Sequence, residues 1–259
     1  MKITLIGSGN VATHLGKNLV DVGHEIIQVF SRNLLKAKRL ADEVDAEYIN
    51  SLDNLSKDAE LYIIAVKDDA IGPVAAKLEM LGMQQKLVVH TSGATPMSIF
   101  EKFANSMIRV GVFYPLQTFT KSRDLDFNGV PLCIDASSLD DRNLLTDLAY
   151  DISSEVYTID DEQRACLHLA AVFVNNFTNH LYGIAAEILK SEDLDFEMLF
   201  PLIQETVDKL YAGTPKEMQT GPAIRNDQAT IARHLDHLRE NPEWQEIYRI
   251  LTKNIQQSQ

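Results

Sequence analysis

Lys2-Ile3-Thr4-Leu5-Ile6-Gly7-Ser8-Gly9-Asn10-Val11-Ala12 is the stretch that decides the fold. An apolar run of strand length ends at Gly7, and a helical pattern over residues 11–22 follows it. The turn between them reads G-x-G-x-x-A. The first glycine permits the tight turn, the second lets a phosphate approach the backbone, and the small third residue lets helix and strand pack closely. A helix N-terminus then offers free N–H groups and a positive dipole end. In this strand-turn-helix setting the turn predicts a dinucleotide site on Gly7, Ser8, Gly9, Asn10, Val11 and Ala12. The alternative is a purely structural glycine turn.

Working outward, β-rich runs recur at 25–30, 46–49, 61–66, 86–90 and 107–113, with helix-length segments such as 34–44 between them. Strict alternation of this kind predicts a doubly wound, mostly parallel sheet, and near-continuous apolar strands fit burial on both faces. Runs at 130–135 and 155–159 around a helix at 140–151 extend the same sheet. Beyond residue 160 the β signal stops. Helices are expected at 161–190, 196–212, 227–240 and 242–257. The chain therefore reads as an α/β domain over 1–158 followed by an all-α domain over 159–259.

The 259 residues carry a net charge of −13, with 45% apolar and 24% charged side chains. That balance is globular, and it argues against a nucleic-acid or anionic-membrane binder, which needs a basic face. No apolar run reaches the roughly 20 residues of a membrane helix. Two distant cysteines, Cys133 and Cys166, predict a reduced, cytoplasmic setting rather than a disulfide framework. No metal site is expected.

The end of the second strand selects the dinucleotide. An acidic residue there binds a ribose 2′-hydroxyl; this chain has Phe30-Ser31-Arg32-Asn33. Ser31 can donate to a 2′-phosphate and Arg32 can pair with it, so NADP is favoured over NAD. Further strand ends supply Val66 and Lys67, then Thr91, Ser92 and Gly93, then Tyr114. Asp68 and Asp69 read equally well as helix-cap acids or as catalysts, and His90, at the end of an apolar strand, reads as a core histidine before it reads as a base.

On the long helix, Arg164, His168, Val172, Asn175, Asn179 and Tyr182 fall on one face at about 100° per residue. A stripe of His and Asn through so apolar a helix is either a solvent face, where lysine and glutamate would be usual, or the lining of a cleft between the domains, which is the favoured reading. His168 is then the candidate proton donor, Asn175 the group that positions the substrate, and Asn179 a further substrate contact. The remaining apolar faces predict a helix buried all round, in part by a second subunit. Arg225, in Thr220-Gly221-Pro222-Ala223-Ile224-Arg225-Asn226-Asp227, is a candidate ligand for a substrate carboxylate, with a loop salt bridge as the alternative.

These motifs carry a resemblance. The G-S-G-N-V-A turn, the S-R pair, A-V-K-D-D-A-I and H-T-S-G-A resemble the Rossmann domains of pyrroline-5-carboxylate reductase and the deazaflavin-dependent NADP reductases. Tyr114 to Phe119 (Y-P-L-Q-T-F), H-L-A-A-V-F-V-N-N and T-G-P-A-I-R-N-D extend it over nearly the full length. The whole chain resembles a bacterial family of candidate NADP oxidoreductases with a helical C-terminal domain of unassigned function, many of which carry His where this chain has Tyr114. The resemblance implies a 6-phosphogluconate dehydrogenase-like arrangement, a helical domain that mediates homodimers, and an active site in the cleft. The resemblance supplies no substrate; the leading reading of the residues is hydride transfer between NADP and a small carbonyl, imine or alcohol substrate in the cleft, with Tyr114 in the substrate site. A non-catalytic NADP-binding sensor, and a reductase of a deazaflavin, are the other readings.

Overall fold

The computed structural model describes residues 1–105 and 107–258. Eight strands form one sheet: β1 (Lys2–Ile6), β2 (Glu25–Phe30), β3 (Glu47–Ile49), β4 (Leu61–Ile64), β5 (Leu87–His90), β6 (Arg109–Pro115), β7 (Leu132–Ala136) and β8 (Val156–Thr158). Their order is β3-β2-β1-β4-β5-β6-β7-β8. All neighbours are parallel except β6 and β7, which pair antiparallel with Tyr114 opposite Cys133. The sheet is thus the mostly parallel one expected.

The strand order reverses between β1 and β4. Connections leave in opposite directions there, which opens a crevice at the carboxyl ends of these strands. Helices cover both faces: α1 (Asn10–Asp21), α2 (Leu34–Val44) and α4 (Leu139–Ile152), and, against the other face, α3 (Asp68–Met80). Alternation along the strands divides the core. Leu61 and Ile63 join Leu5, Leu15, Leu40 and Leu145 in one buried layer. Tyr62 and Ile64 join Ile71, Leu78 and Phe100 in the other.

The chain divides into two compact units, Met1–Asn175 and Asn176–Gln259. The sheet ends at Thr158, yet the first unit also takes in α5 (Asp161–Ala171). A capping box starts that helix: Asp160 accepts from the Gln163 N–H at 2.8 Å, and the Gln163 side chain accepts from the Asp160 N–H at 3.0 Å.

Helical backbone runs on from α5 to α6 (Thr178–Ser191) as expected, but through a π-helical turn at Val172–Phe177. The wider turn departs from 100° per residue, so a face drawn from His168 to Asn175 and Asn179 is not continuous. Nor is the helix buried all round in the single chain. Leu169 and Val174 are 59% and 75% exposed.

The second unit adds α7 (Phe200–Asp208), α8 (Gln228–His237) and α9 (Pro242–Gln257). The expected helix at 196–212 is cut into α7 with a 3₁₀ turn at either end, and Pro201 starts its α-helical part. Asp227 caps α8, accepting from the Thr230 N–H at 3.0 Å. Among the described residues of this unit, the buried apolar side chains are Ala223, Ile231 and Leu238. Leu181, Met198, Leu202, Leu210 and Leu251 are all exposed. Among the described residues, no helix is long and apolar enough to cross a membrane.

Candidate functional site

A cleft of about 580 Å³ opens at the crevice between β1 and β4. It is lined by Gly7, Ser8, Gly9, Asn10 and Val11 after β1, by Ser31 and Arg32 after β2, and by Val66 and Lys67 after β4. Thr91, Ser92 and Gly93 line it after β5, Tyr114 at the end of β6, and His168 from α5. These sequence-predicted residues share one cleft because the parallel strands all end on the same edge. Ala12 lies behind it, fully buried against the sheet, as the small residue the helix–strand contact needs.

The glycine turn fits a phosphate. Gly7 has φ +133°, and a Cβ there would meet the Ala65 carbonyl oxygen at 2.0 Å. At Gly9 a Cβ would meet nothing within 4 Å, which leaves open space before the first turn of α1. That turn carries no acidic residue, and its N-cap makes no side-chain hydrogen bond. Its N–H groups are therefore left to an incoming anion.

Arg32 is joined on the cleft wall by Lys36, which sequence reasoning missed. Asn33 caps α2, accepting from the Lys36 N–H at 3.1 Å, and so aligns the helix start with this edge. The missed signal was the lysine itself, which stands in the first turn of α2 a few residues past Arg32. Lys121 was missed as well, in a stretch that reads only as polar loop. Its Nζ donates to the Ser8 carbonyl at 2.7 Å. Burial, with the Arg39 and Lys36 charges, holds its pKa below the usual lysine value. Asn10 Nδ2 donates to the Phe119 carbonyl at 2.7 Å, so residues 119–121 are strapped to the turn. Beside Arg32, apolar walls from Phe30, Leu52, Val66, Pro73 and Val74 form a second hollow of about 440 Å³, suited to a flat ring.

At the other end of the cleft, Tyr114 Oη lies 3.1 Å from His168 Nδ1, and the rings meet edge to face. Burial, with Cys133 nearby, pushes the Tyr114 pKa up to about 12, so the hydroxyl stays protonated. His90 is fully buried under this end, and desolvation pulls its pKa down to about 4. It is a neutral core histidine, the blander of the two expectations.

Arg164 corrects one expectation. It does not extend a cleft-lining stripe but is 1% exposed, donating to Asp161 at 2.6 Å and to the Thr95 carbonyl at 2.7 Å. An arginine buried at this depth has to be paired. Asn175 is exposed on the π-helical turn and does not line the cleft. Asn179 and Arg225 belong to the second unit, where both are exposed.

Comparison with known proteins gives the family and the fold. Residues 2–93 match the family described as NADP oxidoreductase coenzyme F420-dependent, and residues 130–255 match a domain of unknown function, DUF2520. A candidate NADP oxidoreductase from Bacteroides fragilis is 44% identical with a TM-score of 0.89, over 99% of this chain and 98% of that one. The imine reductase of Myxococcus stipitatus, solved with NADP+, is 15% identical with a TM-score of 0.67, over 99% and 92%. A pyrroline-5-carboxylate reductase from Coxiella burnetii is 17% identical with a TM-score of 0.61, over 98% and 97%. No curated protein matches.

Proposed function

The chain belongs to the NADP oxidoreductase family of its Bacteroides fragilis relative, and from that premise we propose that it reduces the C=N or C=O bond of a small substrate with NADPH. The observation that carries this reading is the placement of the Tyr114–His168 pair in the same cleft as the Gly7–Gly9 turn and the Arg32, Lys36 edge. One end binds phosphates and the other holds a proton donor, as a nicotinamide reductase requires.

The Gly9, Asn10 and Val11 backbone would hold the pyrophosphate, and Ser31, Arg32 and Lys36 the 2′-phosphate. When bound, the cofactor supplies hydride; the protein supplies orientation and the proton. His168 gives that proton to the substrate heteroatom in reduction and takes it back in the reverse direction. Thr91, Ser92 and Gly93 offer small donors around the reacting end. A reductase and an imine reductase among the structural relatives favour an imine over an alcohol.

The second unit supports a homodimer, since a unit whose described residues bury three apolar side chains while exposing Leu181, Leu202 and Leu210 lacks a closed core. Both cysteines are free, which supports a cytoplasmic setting.

Titration of NADPH and NADH into the purified protein, repeated with Arg32→Ala, tests the cofactor site. A charge-assisted contact predicts that Arg32→Ala weakens NADPH about tenfold and leaves NADH unchanged, with a smaller loss for Lys36→Ala. Turnover against a panel of cyclic imines, ketones and alcohols tests the reaction. Equal, weak binding of both nucleotides by the wild type would remove the NADP assignment.

A further inference from the structure

At the reacting end of the cleft, Tyr114 and His168 meet across a glycine. A Cβ placed on Gly93 would lie 2.6 Å from Tyr114 Cζ, 2.7 Å from His168 Nδ1 and 2.8 Å from Tyr114 Oη. Any side chain at position 93 would therefore occupy the space where the hydroxyl and the imidazole meet. The sequence marks Gly93 only as a small residue near the cofactor; the structure gives its smallness a specific use.

Both rings are held from behind. Tyr114 is 8% exposed at the end of β6, packed with Val112 and Cys133. His168 lies one turn beyond Arg164, whose guanidinium is tied to Thr95 and Asp161. Asp161 in turn accepts the Met97 N–H at 2.8 Å. The loop that carries Gly93 and the helix that carries His168 are thus bolted together within a few residues of the hydrogen bond. His168 itself is half-buried, with one side left to the cleft.

We propose that Tyr114 is a positioning residue for His168, and that Gly93 is the gap that lets the two meet. This inference rests on the proton-donor role proposed for His168. A hydroxyl suits both states of the imidazole: it accepts from Nδ1–H when the ring is protonated and can donate to a bare Nδ1 when it is not. Holding Nδ1 leaves Nε2 as the nitrogen that exchanges a proton with the substrate. The imidazolium gives up its Nε2 proton, the substrate heteroatom gains it, and the neutral ring keeps Nδ1–H on the Tyr114 oxygen. Tyr114 never has to ionise. The ionisable groups that act on its hydroxyl are Cys133 from β7, Arg164 from α5 and Asp68 from the start of α3.

Proton and nitrogen-15 NMR of the full chain, without substrate, tests this. A hydrogen bond at Nδ1 biases which ring nitrogen carries the proton, so losing it changes the tautomer balance. In Tyr114→Phe the His168 Nδ1 and Nε2 resonances should both move. Gly93→Ala should reproduce both changes with the tyrosine intact, while the ring resonances of His180 and His237 stay in place. A folded Tyr114→Phe protein with unmoved His168 Nδ1 and Nε2 resonances overturns the proposal, whatever Gly93→Ala does. NADPH titration of the same samples reads the parent assignment separately. A wild type that binds NADPH with no change at His168 in Tyr114→Phe removes this inference alone. A wild type that binds no NADPH removes the reductase reading, while the resonances still decide whether Tyr114 positions His168.

Discussion

Arg164 Nη2 donates to the Thr95 carbonyl oxygen at 2.7 Å from a side chain that is 1% exposed. The contact joins the first turns of α5 to the loop after β5, and so sets where His168 stands over Gly93. Its Nε and Nη1 make no hydrogen bond, so the guanidinium is buried at a cost that its partners offset only in part.

Arg164→Ala is expected to destabilise the protein by roughly 1–3 kcal/mol, because the Thr95 carbonyl and Asp161 each lose a buried partner. Denaturant unfolding followed by far-UV circular dichroism measures it. A change within about 0.5 kcal/mol, the range of an ordinary surface substitution, would refute the anchoring role.

Two glycines of one turn should separate fold from binding. Gly7→Ala places a methyl against the Ala65 carbonyl and forces a side chain into positive φ, so it should lower the melting temperature. Gly9→Ala meets open space, so its melting temperature should stay near wild type while NADPH affinity falls at least about tenfold. Thermal melts and nucleotide titration of both variants check the contrast. A Gly9→Ala protein with unimpaired NADPH binding would mean that the backbone there is not approached.

His90 sets an acid limit. Its pKa is held down to about 4 by burial, against 6.5 when exposed. Between those values the unfolded chain binds a proton that the folded chain refuses, so stability falls as pH drops from about 6.5 to about 4. The whole effect amounts to about 3 kcal/mol at most. His90→Gln should flatten that part of the pH–stability profile. An unaltered profile would assign the acid loss to other groups.

Sedimentation equilibrium should give about twice the 29.1 kDa chain mass. Leu181→Glu with Leu202→Glu should shift the protein toward monomer, since both side chains are exposed on the second unit and a buried carboxylate is costly. A monomeric wild type at micromolar concentration would leave the exposed leucines without the partner proposed for them.

What the sequence determined by itself was whatever depends on local order. Gly7-Ser8-Gly9 followed by a helix, apolar runs at regular spacing, and Ser31-Arg32 in place of an acid were enough for a doubly wound sheet and an NADP-type edge. The Asp160–Gln163 capping box and the Asp227 cap likewise rest on residues three apart, and the helix starts were legible. Other features were decided by contacts far apart in the chain. Lys121 reaches Ser8 across 113 residues, Arg164 reaches Thr95 across 69, and Tyr114 reaches His168 across 54. No periodicity encodes such meetings. The π-helical turn at Val172–Phe177 shows the same limit within one helix, because a single wider turn breaks the 100° phase on which the polar stripe rested. Pattern specifies which face of an element is apolar; only close packing in three dimensions decides which polar group on another element it meets, and where a glycine must make room for them.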